Sequence, residues 1–153
     1  MAAINSDPEV AKMLNRPVDP PAVAAFLDRV RAHWDEHGFG WYAVQGREGD
    51  LEGELLGFTG VAYPTFLPEL AARPEIGWRL APRAWGRGLA TEAARVAAAE
   101  AFEGLELTEL ISIIHPGNVR SQRVATKLGM VLEGLVDHPA LGERVQVWAL
   151  AAP

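Results

Sequence analysis

The sequence predicts an α/β fold in which one sheet is covered by helices. Two apolar, β-rich runs, Glu75–Leu80 and residues 109–115, bracket an Ala-rich stretch that starts near Leu89 and reads as a strong helix. A second helical pattern, residues 118–128, is stopped by Gly129 and followed by two more β-rich runs. The 153 residues, 49% hydrophobic and 22% charged, suit one soluble domain over 1–153 with a real core.

In chain order, Ser6-Asp7-Pro8-Glu9 has the Ser-x-x-Glu form of a capping box, so a short helix is expected from Asp7 to before Pro17. Asp19 caps a second helix whose Val23, Phe26, Leu27, Val30 and Trp34 recur at helical spacing, and Gly38 stops it. Trp41–Gln45 and residues 55–63 read as strands joined by a polar, Gly-rich loop. Residues 64–74, with three prolines, form a loop that leads into the strand at Glu75. After the second β-rich run Pro116-Gly117 breaks the chain, and Asn118 can cap the next helix. Residues 130–136 and 144–151 then form a closing antiparallel pair, turning near Leu141-Gly142.

Composition narrows the function classes. With no cysteine, disulfides and thiol catalysis are excluded. No apolar run is long enough to cross a membrane and no secretory signal is visible, which fits a cytoplasmic protein with no membrane partner. The net charge of −6 argues against nucleic acid as partner. Arginine outnumbers lysine twelve to two, and six arginines lie between Arg79 and Arg123, which suits an anionic ligand.

That ligand has an expected place. Arg83, Gly86 and Gly88 fall in the turn between the Glu75 strand and the following helix. Two glycines let successive N–H groups converge, and the helix adds unpaired N–H groups and the positive end of its dipole. A phosphate belongs at such a point. The stretch lacks both G-x-x-x-x-G-K-[ST] and G-x-G-x-x-G, so neither a nucleoside-triphosphate loop nor a dinucleotide fingerprint is indicated.

The Arg-x-x-Gly-x-Gly spacing resembles the pyrophosphate loop of the GNAT N-acetyltransferase superfamily, Gln/Arg-x-x-Gly-x-Gly/Ala. Asn118-x-x-Ser121 followed by Lys127-Leu128-Gly129-Met130 resembles a second block of its RimJ/RimL-like branch. NSDPEVAKMLNRP, HWDEHGFGWYAV and the final GERVQVWAL extend the likeness over nearly the whole chain. The resemblance implies a mixed, mostly antiparallel central sheet flanked by helices, with acetyl-CoA as cofactor and CoA as product. It assigns the cofactor to Arg83, Gly86 and Gly88, to the amides of Arg87, Leu89 and Ala90, to the backbone of Trp78, Arg79 and Leu80, and to Asn118 and Ser121. Trp85, inside the loop, would lie over the cofactor. The family usually carries one more strand before the first helix, whereas here Ile4-Asn5 runs directly into the helix cap. An unpartnered Trp41–Gln45 edge would then invite pairing with another chain, a homodimer.

Acetyl transfer to an amine needs a neutral nitrogen, a polarised thioester carbonyl and an acid for the departing thiolate. The resemblance implies Glu75 as base, acting through water; the residue-level alternative is a solvated strand-end carboxylate. His138, where the branch places a carboxylate, is the other candidate base. Ser121 is the candidate acid. His33-Trp34-Asp35-Glu36-His37 matches the zinc signature H-x-x-E-H, but histidines at a helix end also complement its dipole, and no metal is expected. His115 reads as a packed or capping residue. The leading expectation is an N-acetyltransferase using direct attack in a ternary complex, with a protein N-terminus or a small-molecule amine as acceptor. The alternative is a non-catalytic acyl-CoA-binding or sensing module that keeps the loop and lacks a working base.

Overall fold

A computed structural model describes residues 2–5, 7–13, 20–139 and 141–153. Two short helices, α1 (Ala2–Asn5) and α2 (Pro8–Met13), precede α3 (Pro20–His37). The N-terminal stretch is thus two helical pieces rather than one. Asp7 accepts from the Glu9 N–H at 2.9 Å and caps α2, so the helix starts one residue later than expected. The expected caps Ser6 and Asp19 lie outside the described residues.

Six strands form one sheet: β1 (Trp41–Gln45), β2 (Leu55–Ala62), β3 (Glu75–Leu80), β4 (Glu109–Ile114), β5 (Val131–His138) and β6 (Glu143–Ala151). Their order is β1-β2-β3-β4-β6-β5. Every neighbouring pair is antiparallel except β3 and β4. The mixed, mostly antiparallel sheet expected from the sequence is therefore present. Among the described residues no strand precedes β1, which stands at an edge.

Helices α4 (Leu89–Ala99) and α5 (Val119–Leu128) cover one face. The inner side of α4 is Ala94, Ala97 and Ala98, all buried against Val61, Ile76 and Leu110. Small side chains let the helix lie close to the sheet, which fixes where its first turn can stand. The helix continues through a π-helical turn, Glu100–Gly104, in which the Leu105 N–H reaches the Glu100 carbonyl at 3.0 Å. On the opposite face Ile111, Val145 and Val147 are covered by Leu67 and Leu70 from the loop before β3.

Between β1 and β2 the backbones leave no room for a side chain. A Cβ at Gly60, where φ is 154°, would stand 2.2 Å from the Gly40 carbonyl oxygen. Gly60→Ala is therefore expected to cost about 3 kcal/mol or more, read as a lower urea midpoint at unchanged slope.

Candidate functional site

The site is built where β3 and β4 part. Each strand has six residues, yet their only ladder pair is Glu75↔Ile111. The Ile111 N–H donates to the Pro74 carbonyl at 2.9 Å, and beyond that point the strands diverge. Strand alternation then turns the backbone groups of Ile76, Trp78 and Leu80 toward the gap, because the Ala81 N–H donates the other way, to Leu56 of the β2 side, at 2.7 Å. The gap is a wedge with a hydrogen-bonding edge along one wall.

The backbone groups of Trp78 and Leu80 thus face the gap. The Leu80 carbonyl already accepts from the Trp85 indole at 2.7 Å, so its N–H is the group offered. Arg79 is a correction. Its backbone faces β2, and its guanidinium donates to the buried Asn5 side chain at 2.9 Å and lies 5.1 Å from the Phe58 ring.

Glu75 sits at the apex. The residue as a whole is half-buried, and the surrounding protein pushes its carboxyl up to about 8. Burial is the dominant cause; the Ile113 N–H and the Arg79 charge pull weakly the other way. A solvated strand-end carboxylate is not what the fold builds. Beside it, Arg73 grips Glu109 at 2.9 and 2.8 Å and Glu133 at 2.8 and 3.1 Å, pinning the strands where they last touch.

The loop after β3 turns on two glycines. Gly86 and Gly88 adopt φ of 76° and 83°, with open space where a Cβ would stand. Gly88 begins α4, its carbonyl accepting from Thr91 and Glu92 at 3.0 Å. The Leu89 and Ala90 N–H groups precede the first intrahelical bond. The two loop arginines point elsewhere. Arg83 pairs with Glu54 and donates to the Leu55 carbonyl at 3.1 Å. Arg87 makes a two-pronged pair with Asp50 at 2.7 and 2.8 Å, which holds the Asp50 carboxyl below the usual range. They brace the loop against the β1–β2 connection, so an anion there would meet backbone amides first.

Across the wedge, α5 begins at the C-terminal end of β4. Asn118 caps it, its side-chain oxygen accepting from the Ser121 N–H at 3.1 Å. That leaves the amide N–H pair of Asn118 and one lone pair of its oxygen. Ser121 is half-buried in the same turn. Arg120 lies 4.2 Å from the centre of the Trp85 ring and joins the two walls at the mouth. Trp85 is thus held within the protein by Leu80 and Arg120 rather than presented over a ligand.

His138 ends β5 and stacks on the half-exposed Phe66 at 5.4 Å. It shares a sheet face with Glu75, but three strand intervals of about 4.8 Å separate the two. The structure does not bring these two candidate bases together. Glu75 and the β3 edge border the wedge, and the Arg120–Trp85 contact links the loop after β3 to the first turn of α5.

His33 and His115 serve the backbone. His33 Nδ1–H donates to the Phe39 carbonyl at 2.8 Å and Nε2 accepts from the Tyr63 N–H at 3.1 Å, which commits both ring nitrogens. Burial, the largest cause, lowers its pKa. His115 bonds Glu143 at 2.8 Å and accepts from the Gly117 N–H at 3.0 Å, closing the turn before α5.

Comparison with known proteins places this wedge in context. The acetyltransferase (GNAT) domain family matches residues 1–131. The chain is 32% identical over 134 residues to the FsC-acetyl coenzyme A-N(2)-transacetylase of Aspergillus fumigatus, covering 83% of this chain and 55% of that protein. It is 37% identical over 99 residues to the uncharacterised YkkB protein of Bacillus subtilis, 63% of this chain and 54% of that one. The chain thus spans about half the length of these two curated relatives. The crystal structure of an acetyltransferase from Agrobacterium tumefaciens superposes with a TM-score of 0.80 at 28% identity, covering 97% of this chain and 81% of that one.

Proposed function

The chain belongs to the GNAT acetyltransferase family, and on that premise we propose that it transfers the acetyl group of acetyl-CoA to a primary amine by direct attack in a ternary complex. The observation that carries the proposal is the pairing of a carboxyl held near pH 8 with the wedge it closes. Acetyl-CoA supplies an acetyl group activated as a thioester. The Gly86–Gly88 loop and the first turn of α4 would hold its pyrophosphate. The Trp78 and Leu80 backbone and the Asn118 amide would align its pantetheine. Glu75, when ionised, takes the proton of the acceptor nitrogen, directly or through a water. Ser121 gives its hydroxyl proton to the departing sulfur.

The acceptor face is bounded by Glu75, the loop before β3 and the Phe66–His138 stack, so His138 belongs to acceptor binding in this reading. The acceptor is a protein N-terminus or a small-molecule amine. The Asn118–Ser121 and Lys127–Met130 block supports the RimJ/RimL-like branch. The open edge of β1 supports a homodimer, and a monomer in light scattering at working concentration removes it.

Free-thiol release from acetyl-CoA across a panel of amines and N-terminal peptides tests the reading. Ser121→Ala is expected to lower kcat about 100-fold while acetyl-CoA affinity changes little. A parent chain that binds acetyl-CoA yet releases no thiol with any amine would instead favour a binding module.

A further inference from the structure

Trp41, on the edge strand, reaches the middle of the sheet. On β1 it lies opposite Gly60 of β2, and Gly60 lies opposite Gly77 of β3. Directly opposed residues of antiparallel strands share a face, so the three form one row. Two of the three carry no side chain, which clears a lane for the indole. The ring uses it: a Cβ at Gly77 would stand 2.6 Å from Trp41 Cη2 and 3.0 Å from Cζ3. The Phe58 ring, nearly perpendicular at 5.4 Å, steadies the indole.

The lane ends beside the reactive carboxyl. Glu75 and Arg79 flank Gly77 at two residues on either side, on the same face and each about 7 Å along β3. The outer end of the indole therefore stands at β3 between these two positions. Trp41 as a residue is half-buried. The charged groups around Glu75 are Arg79 on its own strand and the mutually paired Arg73, Glu109 and Glu133. Arg79 is held by Asn5 and lies over Phe58. Burial outweighs its pull on the Glu75 carboxyl.

We propose that Trp41 is an acceptor-binding residue, the outer end of its indole forming the wall along which the amine reaches Glu75. The inference rests on the reading of Glu75 as the base for acetyl transfer. At neutral pH an alkylamine, and most of a peptide N-terminus, arrives as an ammonium ion. An aromatic ring attracts that cation and packs against the carbon that bears it. The ring carries no carboxylate or amine of its own to compete for the proton. It also keeps water from the Glu75 carboxyl, which makes that group a stronger base once ionised.

Trp41→Leu tests this, because leucine keeps an apolar side chain on β1 that is too short to reach Gly77. With the best acceptor of the amine and peptide panel, KM is expected to rise about 10-fold. The acetyl-CoA Kd should stay within about twofold, which also shows that the variant is folded. A carbon-13 NMR titration of the Glu75 carboxyl, assigned by its loss in Glu75→Gln, needs no turnover. Its midpoint should lie near 8 in the parent and lower in Trp41→Leu, because water then reaches the carboxyl. Gly77→Ala, whose Cβ displaces the indole with Trp41 still present, should raise the acceptor KM as well. A merely structural Trp41 would lower Tm and leave the acceptor KM and the midpoint where they were. That result overturns the assignment and leaves the transferase reading standing. A lowered midpoint with a parental acceptor KM overturns the acceptor contact. A parent that releases no thiol with any amine of the panel removes the transferase reading, and the acceptor role of Trp41 with it.

Discussion

Glu75→Gln is expected to lower kcat by two to four orders of magnitude while acetyl-CoA affinity stays within a few fold. Glutamine keeps the shape of the side chain and cannot take a proton. The same carboxyl sets the pH dependence of the parent. Its pKa in the fold is about 8, so at pH 7 most molecules carry it protonated and inactive as a base. Activity should rise from pH 6 to 9 with an apparent midpoint near 8, and Glu75→Gln should flatten that rise. Stability moves the opposite way. The folded pKa lies above the ordinary value of 4.5, so the unfolded chain ionises first as pH rises. The fold loses stability between about pH 4.5 and 8, and the loss is complete above that range. Glu75→Gln abolishes this loss, so its melting temperature relative to the parent should be higher at pH 9 than at pH 5. A variant with parental kcat would remove Glu75 from the chemistry.

Gly88→Asp should raise the KM for acetyl-CoA by about 100-fold or more, through two effects that a control separates. Gly88 has φ of 83°, so any side chain adds strain. A carboxylate at that point also stands where the helix N-terminus and loop amides would receive a pyrophosphate. Asparagine tolerates the left-handed conformation better than most residues and carries no charge. Gly88→Asn should therefore cost the strain alone, and the ratio of the two KM values measures the electrostatic part. Both residues are good helix caps, so α4 should survive in either variant, as circular dichroism would show. Equal KM values for the two variants would mean that no anion sits at this loop.

The parts legible in the sequence were those that depend on local pattern. Strand β3, its glycine turn and the start of α4 lie within one continuous stretch, where alternation, glycine spacing and helix propensity act on neighbouring residues. Asn118 and Gly129 likewise mark the two ends of α5 as capping chemistry requires. What the sequence did not disclose depends on distant partners. Arg83 and Arg87 turn away from the loop because Glu54 and Asp50, more than twenty residues earlier, lie beside them in the fold. Arg79 leaves the wedge because β2 takes its backbone and Asn5 its side chain. The raised pKa of Glu75 comes mainly from burial, which depends on how distant parts of the chain pack around it. The Arg73 clamp joins Glu109 and Glu133 across three elements, and no short window contains it. His138, a candidate base in the sequence, packs on Phe66, and His33, within the H-x-x-E-H match, spends both ring nitrogens on backbone groups.

The central claim is that the loop and the wedge receive acetyl-CoA, and a thermal-unfolding titration with acetyl-CoA tests it most directly. At 100 times its Kd the ligand should stabilise the parent by about 2.7 kcal/mol, enough to raise Tm by a few degrees. In Gly88→Asp at the same concentration most of that shift should be gone. A parent whose Tm does not move with acetyl-CoA, or a shift that persists undiminished in Gly88→Asp, would contradict the account.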